Sequence, residues 1–251
     1  MIEVVDVDGV AVVRLAHGKV NALDVELLHE IVKVFDDLTR SDHPAVVLTG
    51  AGRSFSAGVD LWRVIDGGAD YVDAFLPALC DAFLAVFTLG KPVVAAVNGH
   101  AIAGGAILAC AADLRLMADS GGRIGVTELL VGVPFPPAAL EVVRFALGET
   151  RARTAVVTGR TFEPPEAVAA GFVDELVPGA ELPQAAVAAA LRLATAVPAD
   201  TFRLTKEQLR LPVHERLARH RPVYDPQVRD LWVAGVEDGR LRRFMETVTA
   251  R

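Results

Sequence analysis

The chain has 251 residues, of which 52% are hydrophobic, 23% charged and only 6% aromatic. This composition excludes a disordered or fibrous protein and is typical of a globular domain whose core of small aliphatic side chains is large enough to fold without metals or disulfides. The net charge of −7 argues against a nucleic-acid partner, because such binding needs clustered Lys and Arg to neutralise phosphates.

The N-terminus and the cysteines indicate the compartment. Glu3, Asp6 and Asp8 stand where a secretory signal would be basic, and no charge-free apolar run approaches the ~20 residues that cross a membrane. Cys80 and Cys110 lie in apolar surroundings without metal-ligand spacing, which favours reduced core residues. We therefore expect a cytoplasmic protein with no membrane partner and no metal site.

The first elements read as a hairpin, a helix and a strand. Residues 2–7 and 10–15 flank Asp8-Gly9, a pair that supplies the positive φ angles of a tight turn. Apolar residues recur at helical spacing over 23–38, and the next apolar run, 45–49, is short and β-branched. The order is thus helix followed by buried strand.

The same alternation continues through the middle of the chain. Residues 71–89 predict a helix with a break at Pro77, and 92–97 predict a buried strand. A second helix is predicted over 104–112 and a further strand over 114–117. The pattern predicts an α/β fold with a mostly parallel sheet covered by helices.

Beyond residue 137 the chain reads as mainly helical. Helices are predicted over 138–147, 151–158, 164–170, 182–196 and 200–210, with one further strand at 172–177. Pro212, Pro222 and Pro226 predict interruptions before a charged amphipathic run over 238–250. No repeat or change of composition marks a boundary, so residues 1–251 are predicted to form a single domain.

Two Gly-rich segments each follow an apolar strand and lead into a helix: residues 49–61 (TGAGRSFSAGVDL) and 98–113 (NGHAIAGGAILACAAD). Glycine lets the backbone approach a ligand, and a helix N-terminus offers unpaired N–H donors, although such glycines can also serve only turns and close packing. Neither segment is a P-loop, since no Lys or hydroxyl residue follows Gly104. Nor is either a dinucleotide fingerprint, since Phe55 stands where a third Gly is needed.

Four segments in this order and spacing resemble the enoyl-CoA hydratase/isomerase (crotonase) family: NAL at 21–23, FSAGVDL at 55–61, GHAIAGGAILACAAD at 99–113 and GVTELLVGVPFP at 125–136. The resemblance covers nearly the whole chain. It implies a crotonase-type ββα spiral core over 1–195, a helical trimerisation region over 196–251, and a homotrimer or dimer of trimers. It also implies acyl-CoA thioester substrates, so coenzyme A would enter as part of the substrate and no separate cofactor is expected.

The resemblance also implies where the thioester oxygen is held. The backbone N–H groups of Val59 and Gly104 match the positions that form the family's oxyanion hole. An enolate formed next to a thioester needs two preorganised donors, and loss of one typically costs roughly 3–4 kcal/mol of barrier. Asp60 reads as the N-cap of a helix that starts at Leu61 rather than as a catalyst.

The acid–base residues depart from the family pattern. One glutamate position is filled by Glu128, which otherwise reads as a first-turn helix glutamate with Thr127 as cap, and the other position is occupied by Ile107. A hydratase needs paired acids, whereas a single base can move a double bond from C3 to C2. The residues therefore favour a 3-enoyl-CoA isomerase, with a 2-enoyl-CoA hydratase and a non-catalytic acyl-CoA-binding protein as alternatives.

Further residues are assigned by the resemblance. The coenzyme is expected along two loops, mainly through backbone atoms: Lys19, Val20, Asn21, Ala22 and Leu23, and Ser56, Ala57, Gly58, Val59, Asp60 and Leu61. Apolar walls around the acyl chain are expected from Trp62, Ile107, Pro134 and Phe135, with core packing as the alternative. An acid from residues 60–73, read as a loop holding Asp60, Asp66, Asp70 and Asp73, is a candidate for the missing partner of Glu128.

Overall fold

Nine strands form two separate sheets in the computed structural model, which describes residues 1–249. The strands are β1 (Ile2–Val7), β2 (Val10–Leu15), β3 (Val46–Gly50), β4 (Ser54–Ser56), β5 (Val93–Val97), β6 (His100–Ile102), β7 (Leu114–Ala118), β8 (Ile124–Gly125) and β9 (Glu175–Val177). The helices are α1 (Val25–Arg40), α2 (Leu61–Thr88), α3 (Gly104–Cys110), α4 (Glu128–Val131), α5 (Pro137–Thr158), α6 (Pro164–Ala170), α7 (Leu182–Ala196), α8 (Ala199–Glu237) and α9 (Arg240–Thr249).

The larger sheet has six strands in the order β1-β2-β3-β5-β7-β9. Only the β1–β2 hairpin is antiparallel, and its turn is the predicted Asp8-Gly9 pair with φ angles of 54° and 84°. The other neighbours are parallel because the helices between them carry the chain back across the sheet. The predicted α/β class with a mostly parallel sheet is confirmed.

The two faces of this sheet pack against different helices. Side chains alternate along each strand, so Ala11, Val13, Val46 and Leu48 face the main core formed with α1, α2 and α3. Val10, Val12, Val47, Val94 and Ala96 point the other way and pack against α7. The helical layer on this second face is thinner, because α7 lies there alone within the described chain.

The smaller sheet joins β4, β6 and β8, all parallel. Ser56 pairs with Ala101, Ala101 pairs with Ile124, and Ile102 pairs with Gly125. These strands have only two or three residues, too few for an alternating pattern to be recognised, and the element analysis of the sequence did not predict them. Their carboxyl ends lie along one edge, so the chain leaves all three strands at neighbouring points.

The helix interruptions predicted at four prolines are wrong. Helix α2 starts at Leu61 and continues through Pro77, and its kink lies instead at Gly68, where φ is 63°. Helix α8 continues through Pro212, Pro222 and Pro226. A proline inside a helix costs about 3 kcal/mol, but both helices bury apolar residues on either side of their prolines, and this packing outweighs the cost.

Helix α2 is long and apolar enough to cross a membrane by length and composition alone. However, 56% of its most apolar window is buried inside the protein. Phe75, Phe83 and Phe87 in this helix are fully buried in the main core. This is the arrangement of a core helix in a globular fold.

A buried ion cluster fastens α8 to the large sheet. Asp113 accepts hydrogen bonds from Lys206 Nζ at 2.6 Å, from Arg210 Nη2 at 2.7 Å and from the N–H of Val93 at 2.8 Å. Desolvation lowers the pKa of Lys206 to about 8, although Asp113 opposes the shift. Lys206 Nζ also donates to the carbonyl oxygen of Lys91 at 2.8 Å. Asp113 is thus the only carboxylate between the two buried cations of the described cluster, and its charge is needed to keep them there.

The last helix, α9, folds back over the start of α2 and over α4. Leu241 is fully buried, Arg240 Nη1 donates to the carbonyl oxygen of Gly132 at 3.3 Å, and Arg242 lies 3.6 Å from Asp66. The amphipathic run predicted over 238–250 is therefore helical from Arg240 to Thr249, and its last residue lies outside the described residues.

Candidate active site

The small sheet brings three segments of the candidate site together. Chain leaving β4 reaches Val59, chain leaving β6 reaches Gly104, and chain leaving β8 reaches Glu128. The N–H of Ala103 donates to the carbonyl oxygen of Gly125 at 2.8 Å, which fixes the second segment against the third. Residues far apart in the sequence are thereby placed at one edge of a parallel sheet.

Val59 presents a free backbone donor beside Leu23. The N–H of Leu23 donates to Gly58 at 2.8 Å and the N–H of Asp60 donates to Leu23 at 3.0 Å, so this short parallel bridge uses the residues flanking Val59. The N–H of Val59 points away from the bridge and has no acceptor among residues 1–249. Such a group gains most from an incoming acceptor atom.

Gly104 supplies a second donor at the start of α3. Its N–H belongs to the first helical turn, where the helix itself offers no acceptor. Ala103 before it has φ 49° and ψ −122°, and Gly58 before Val59 has φ 87°, so a left-handed residue orients each donor. A Cβ on Gly58 would lie 3.4 Å from the nitrogen of Gly104, which shows how closely the two segments approach.

Glu128 is the first residue of α4 and is only 7% exposed. Its Oε2 atom is buried and has no hydrogen-bond partner within the described chain. Desolvation raises the pKa of Glu128 to about 8, although the backbone N–H groups of Glu128 and Thr127 oppose the shift. Thr127 occupies the N-cap position but makes no side-chain cap hydrogen bond, so its expected capping role is wrong. A carboxylate in this setting is an unusually strong base when ionised.

The acids of residues 60–73 have contacts of their own or face solvent. Residues 60–73, read as a loop, form the cap and first turns of α2. Asp60 caps that helix as predicted, accepting from the N–H of Arg63 at 3.2 Å. Asp66 pairs with Arg242, Asp73 pairs with Arg229 at 2.7 Å, and Asp70 is exposed to solvent. Each of these carboxylates is thus occupied elsewhere or faces solvent.

Asn21 and Ser56 hold the site loops in place. The Asn21 side-chain amide donates to the carbonyl oxygens of Ala51, Ser54 and Phe55 at 3.0–3.3 Å. Ser56 Oγ donates to the carbonyl oxygen of Asn21 at 2.7 Å and accepts from the N–H of Gly58 at 3.2 Å. Both side chains are buried, so they act on the shape of the loops rather than reaching outward.

The remaining residues expected at the coenzyme lie at different depths. Lys19 and Val20 are exposed, Ala22 and Ala57 are half-buried, and Leu23 and Leu61 are buried in the core. Arg53, a cation just before β4, is also exposed. The exposed backbone at Lys19 and Val20 and the two cations are therefore accessible to a ligand.

The expected acyl-chain residues lie on different elements. Ile107 lies on α3 one turn after Gly104 and is 2% exposed, and Trp62 is half-buried beneath the guanidinium of Arg242. Pro134 and Phe135 line a separate cavity of about 410 Å³ between α5 and α8. None of Val59, Gly104 and Glu128 lines that cavity in the described structure.

The network at Asp24 was not predicted from the sequence. Asp24 caps α1 by accepting from the N–H of Leu27 at 2.9 Å, and it also binds His17 at 2.6 Å and Arg63 at 2.8 Å. Burial raises its pKa, but these hydrogen bonds outweigh the burial and lower the pKa overall. An Asp directly before a helical run is a cap pattern, so its first role was readable from the sequence. The contact with Arg63 ties the 17–24 loop to α2.

The sequence profile of the enoyl-CoA hydratase/isomerase family matches residues 6–230. The chain belongs to this family. A Thermus thermophilus protein provisionally named an enoyl-CoA hydratase is 41% identical over 193 residues, covering 75% of each chain. The mouse mitochondrial enoyl-CoA delta isomerase 1 is 30% identical over 216 residues, covering 85% of this chain and 74% of the mouse protein.

Solved structures agree with this family assignment. The human mitochondrial delta3-delta2-enoyl-CoA isomerase superposes with a TM-score of 0.88 at 26% identity, covering 100% of this chain and 97% of the human chain. The resemblance and the crotonase-type fold expected from the four motifs are thereby confirmed. The protein is an enzyme of the enoyl-CoA hydratase/isomerase type, and its relatives carry both names.

Proposed function

We propose that this enoyl-CoA hydratase/isomerase family member moves the double bond of a 3-enoyl-CoA to the 2-position. The thioester oxygen would accept hydrogen bonds from the N–H groups of Val59 and Gly104. Glu128 would take a proton from C2. The electron pair left at C2 delocalises into the thioester carbonyl, whose developing negative charge the two donors stabilise. Return of the same proton to C4 completes the shift with no net change of atoms or charge.

The observation that carries this proposal is the solitary, buried carboxylate. Glu128 Oε2 is buried without a partner in the described chain, and Ile107, which stands at the family's other glutamate position, is apolar and buried. Hydration needs a held water and a second acid or base to activate it. An apolar side chain in place of the second acid supplies no such group, which supports isomerisation.

Hydration of a 2-enoyl-CoA is the second candidate, because the Thermus thermophilus relative carries that provisional name. Ligand capture without turnover is the alternative from another functional class. Incubation with 3-hexenoyl-CoA and with 2-hexenoyl-CoA separates the three. Conjugation of the first supports the isomerase, hydration of the second supports the hydratase, and binding without either reaction supports the acyl-CoA-binding protein.

The pH dependence of isomerisation tests the role of Glu128. Because its pKa is about 8, roughly a tenth of the free enzyme carries the carboxylate at pH 7. We expect kcat/KM to rise about tenfold between pH 6 and pH 7 and to level off above pH 8. Glu128→Gln should reduce turnover by at least about 10²-fold with CoA affinity retained, whereas Asp66→Asn, the matched exposed acid, should leave turnover unchanged. Full activity of the Glu128→Gln enzyme would rule the proposal out.

A further inference from the structure

A cavity of about 560 Å³ lies on the second face of the large sheet, and none of Val59, Gly104 and Glu128 is among its lining residues. At one end its rim includes Gly50 to Gly52, the turn that leads into β4. Its floor is formed by Val12, Val47 and Ala96, and its wall by Leu182 and Val187 of α7. This volume falls within the range of about 300–1,000 Å³ typical of small-molecule sites. The cavity is thus large enough for an organic ligand, and nothing in the proposed reaction uses it.

The mouth of the cavity exposes apolar side chains of β1. Val5 and Val7 stand directly opposite Val12 and Val10 in the hairpin, so they point to the same face. Val5 is 45% exposed and Val7 is 39% exposed. A ligand chain lying along the hairpin would cover these side chains and remove apolar surface from water.

The cavity carries opposite charges at its two ends. Asp8 lies at the hairpin turn, and Arg14 lies near the other end of β2, where it pairs with Thr49 of β3. Val10 to Arg14 spans about 13 Å at about 3.3 Å per residue. Arg14 gives one hydrogen bond, at 3.3 Å to the exposed Glu3, and its other guanidinium donors have no acceptor among the described residues. An anionic group is therefore favoured at the Arg14 end and repelled at the Asp8 end.

We propose that this cavity binds an aliphatic carboxylate. The carboxylate lies beside Arg14, and the chain runs over Val12 and Val47 under α7 toward the hairpin turn. An apolar floor, an arginine with unused guanidinium donors at one end and a carboxylate at the other define both the ligand class and its orientation. The site lies across the large sheet from the main core and is separate from Val59, Gly104 and Glu128, so it binds independently of the acyl-CoA site.

Calorimetric titration with sodium decanoate tests the proposal. Arg14→Gln should weaken binding roughly three- to tenfold, as expected for a charged hydrogen bond at a half-exposed position. Ala188→Trp, at an exposed α7 position lining the cavity, should block it without disturbing the core. Arg40→Gln, an exposed arginine on α1, is the control and should leave the Kd unchanged. Decyltrimethylammonium, with the opposite charge, should bind more weakly than decanoate.

An excess of coenzyme A distinguishes this cavity from the active site. Decanoate binding that persists with coenzyme A present and is weakened by both cavity variants supports the proposal. Displacement by coenzyme A, equal binding by the variants, or no binding would overturn it. A third result would also overturn the proposal: the protein self-associates in sedimentation, Ala188→Trp abolishes the self-association, and decanoate does not bind. The cavity would then be a contact between copies of the chain.

Discussion

Replacing Glu128 by glutamine separates the proton chemistry of this side chain from its packing. Glutamine has the shape of the protonated acid but cannot ionise. The folded-state pKa of about 8 lies above the ordinary value of 4.5, so the folded protein holds the proton more tightly than the unfolded chain does. Wild-type stability should therefore fall as the pH rises from about 4.5 to about 8, while the Gln variant should not show this fall.

The size of the effect follows from the same two pKa values. One pKa unit corresponds to about 1.36 kcal/mol, so keeping Glu128 buried costs about 3 kcal/mol at pH 7 and under about 1 kcal/mol at pH 5. At roughly 2–4 °C per kcal/mol for a chain of this size, Glu128→Gln should melt about 6–12 °C above wild type at pH 7.

Thermal unfolding by circular dichroism at pH 5 and pH 7 measures this difference. Glu26→Gln is the matched control, because Arg63 holds the pKa of this exposed glutamate below its usual range. Its Tm should be equal to wild type or slightly lower at both pH values. Two results would contradict this reasoning: the same Tm difference at pH 5 and pH 7, or a Glu128→Gln variant that melts below wild type. Either would show that burial does not raise the pKa of the Glu128 carboxyl, which is the reason given for its strength as a base.

Three further substitutions, with one control, probe the loops of the site and the attachment of α8 to the large sheet. Gly58→Ala should lower both Tm and turnover, because φ is 87° and a Cβ would lie 2.5 Å from a backbone oxygen; a fully active, stable variant would contradict this close approach. Asn21→Ala should cost about 2–4 kcal/mol in urea unfolding, since three buried carbonyl oxygens lose their donor. Asp113→Asn should lower the free energy of unfolding by about 3–5 kcal/mol, because it leaves two buried cations uncompensated. Asp73→Asn, in an exposed pair, is the control and should change the free energy of unfolding by less than about 1 kcal/mol. Equal effects would show that burial does not set the difference.

Much of the fold was predictable from local pattern. The hairpin turn at Asp8-Gly9, the strand β5 and the helix α7 follow from turn chemistry and apolar periodicity, which act over a few neighbouring residues. The uninterrupted course of α8 was not predictable, because the packing that offsets its prolines comes from residues distant in the sequence. Long-range packing thus overrode a strong local preference.

The candidate site was predictable in its parts but not in its assembly. The resemblance pointed to Val59, Gly104 and Glu128, and Asp60 was correctly read as a cap. No pattern showed that two- and three-residue strands would hold these segments side by side. The burial of Glu128 sets its pKa, and this burial depends on the assembled structure rather than on the neighbouring residues in the sequence.

The brevity of β4, β6 and β8 has a practical consequence for judging the quality of a preparation. The small sheet has few inter-strand hydrogen bonds, so its edge with the Val59 and Gly104 donors can lose its structure locally while the rest of the protein stays folded. The helices, in contrast, are long and deeply packed. Far-ultraviolet dichroism is dominated by those helices, so it reports poorly on whether the donors remain aligned. Titration with a tight-binding enolate mimic counts competent molecules directly and is the better measure of an intact sample.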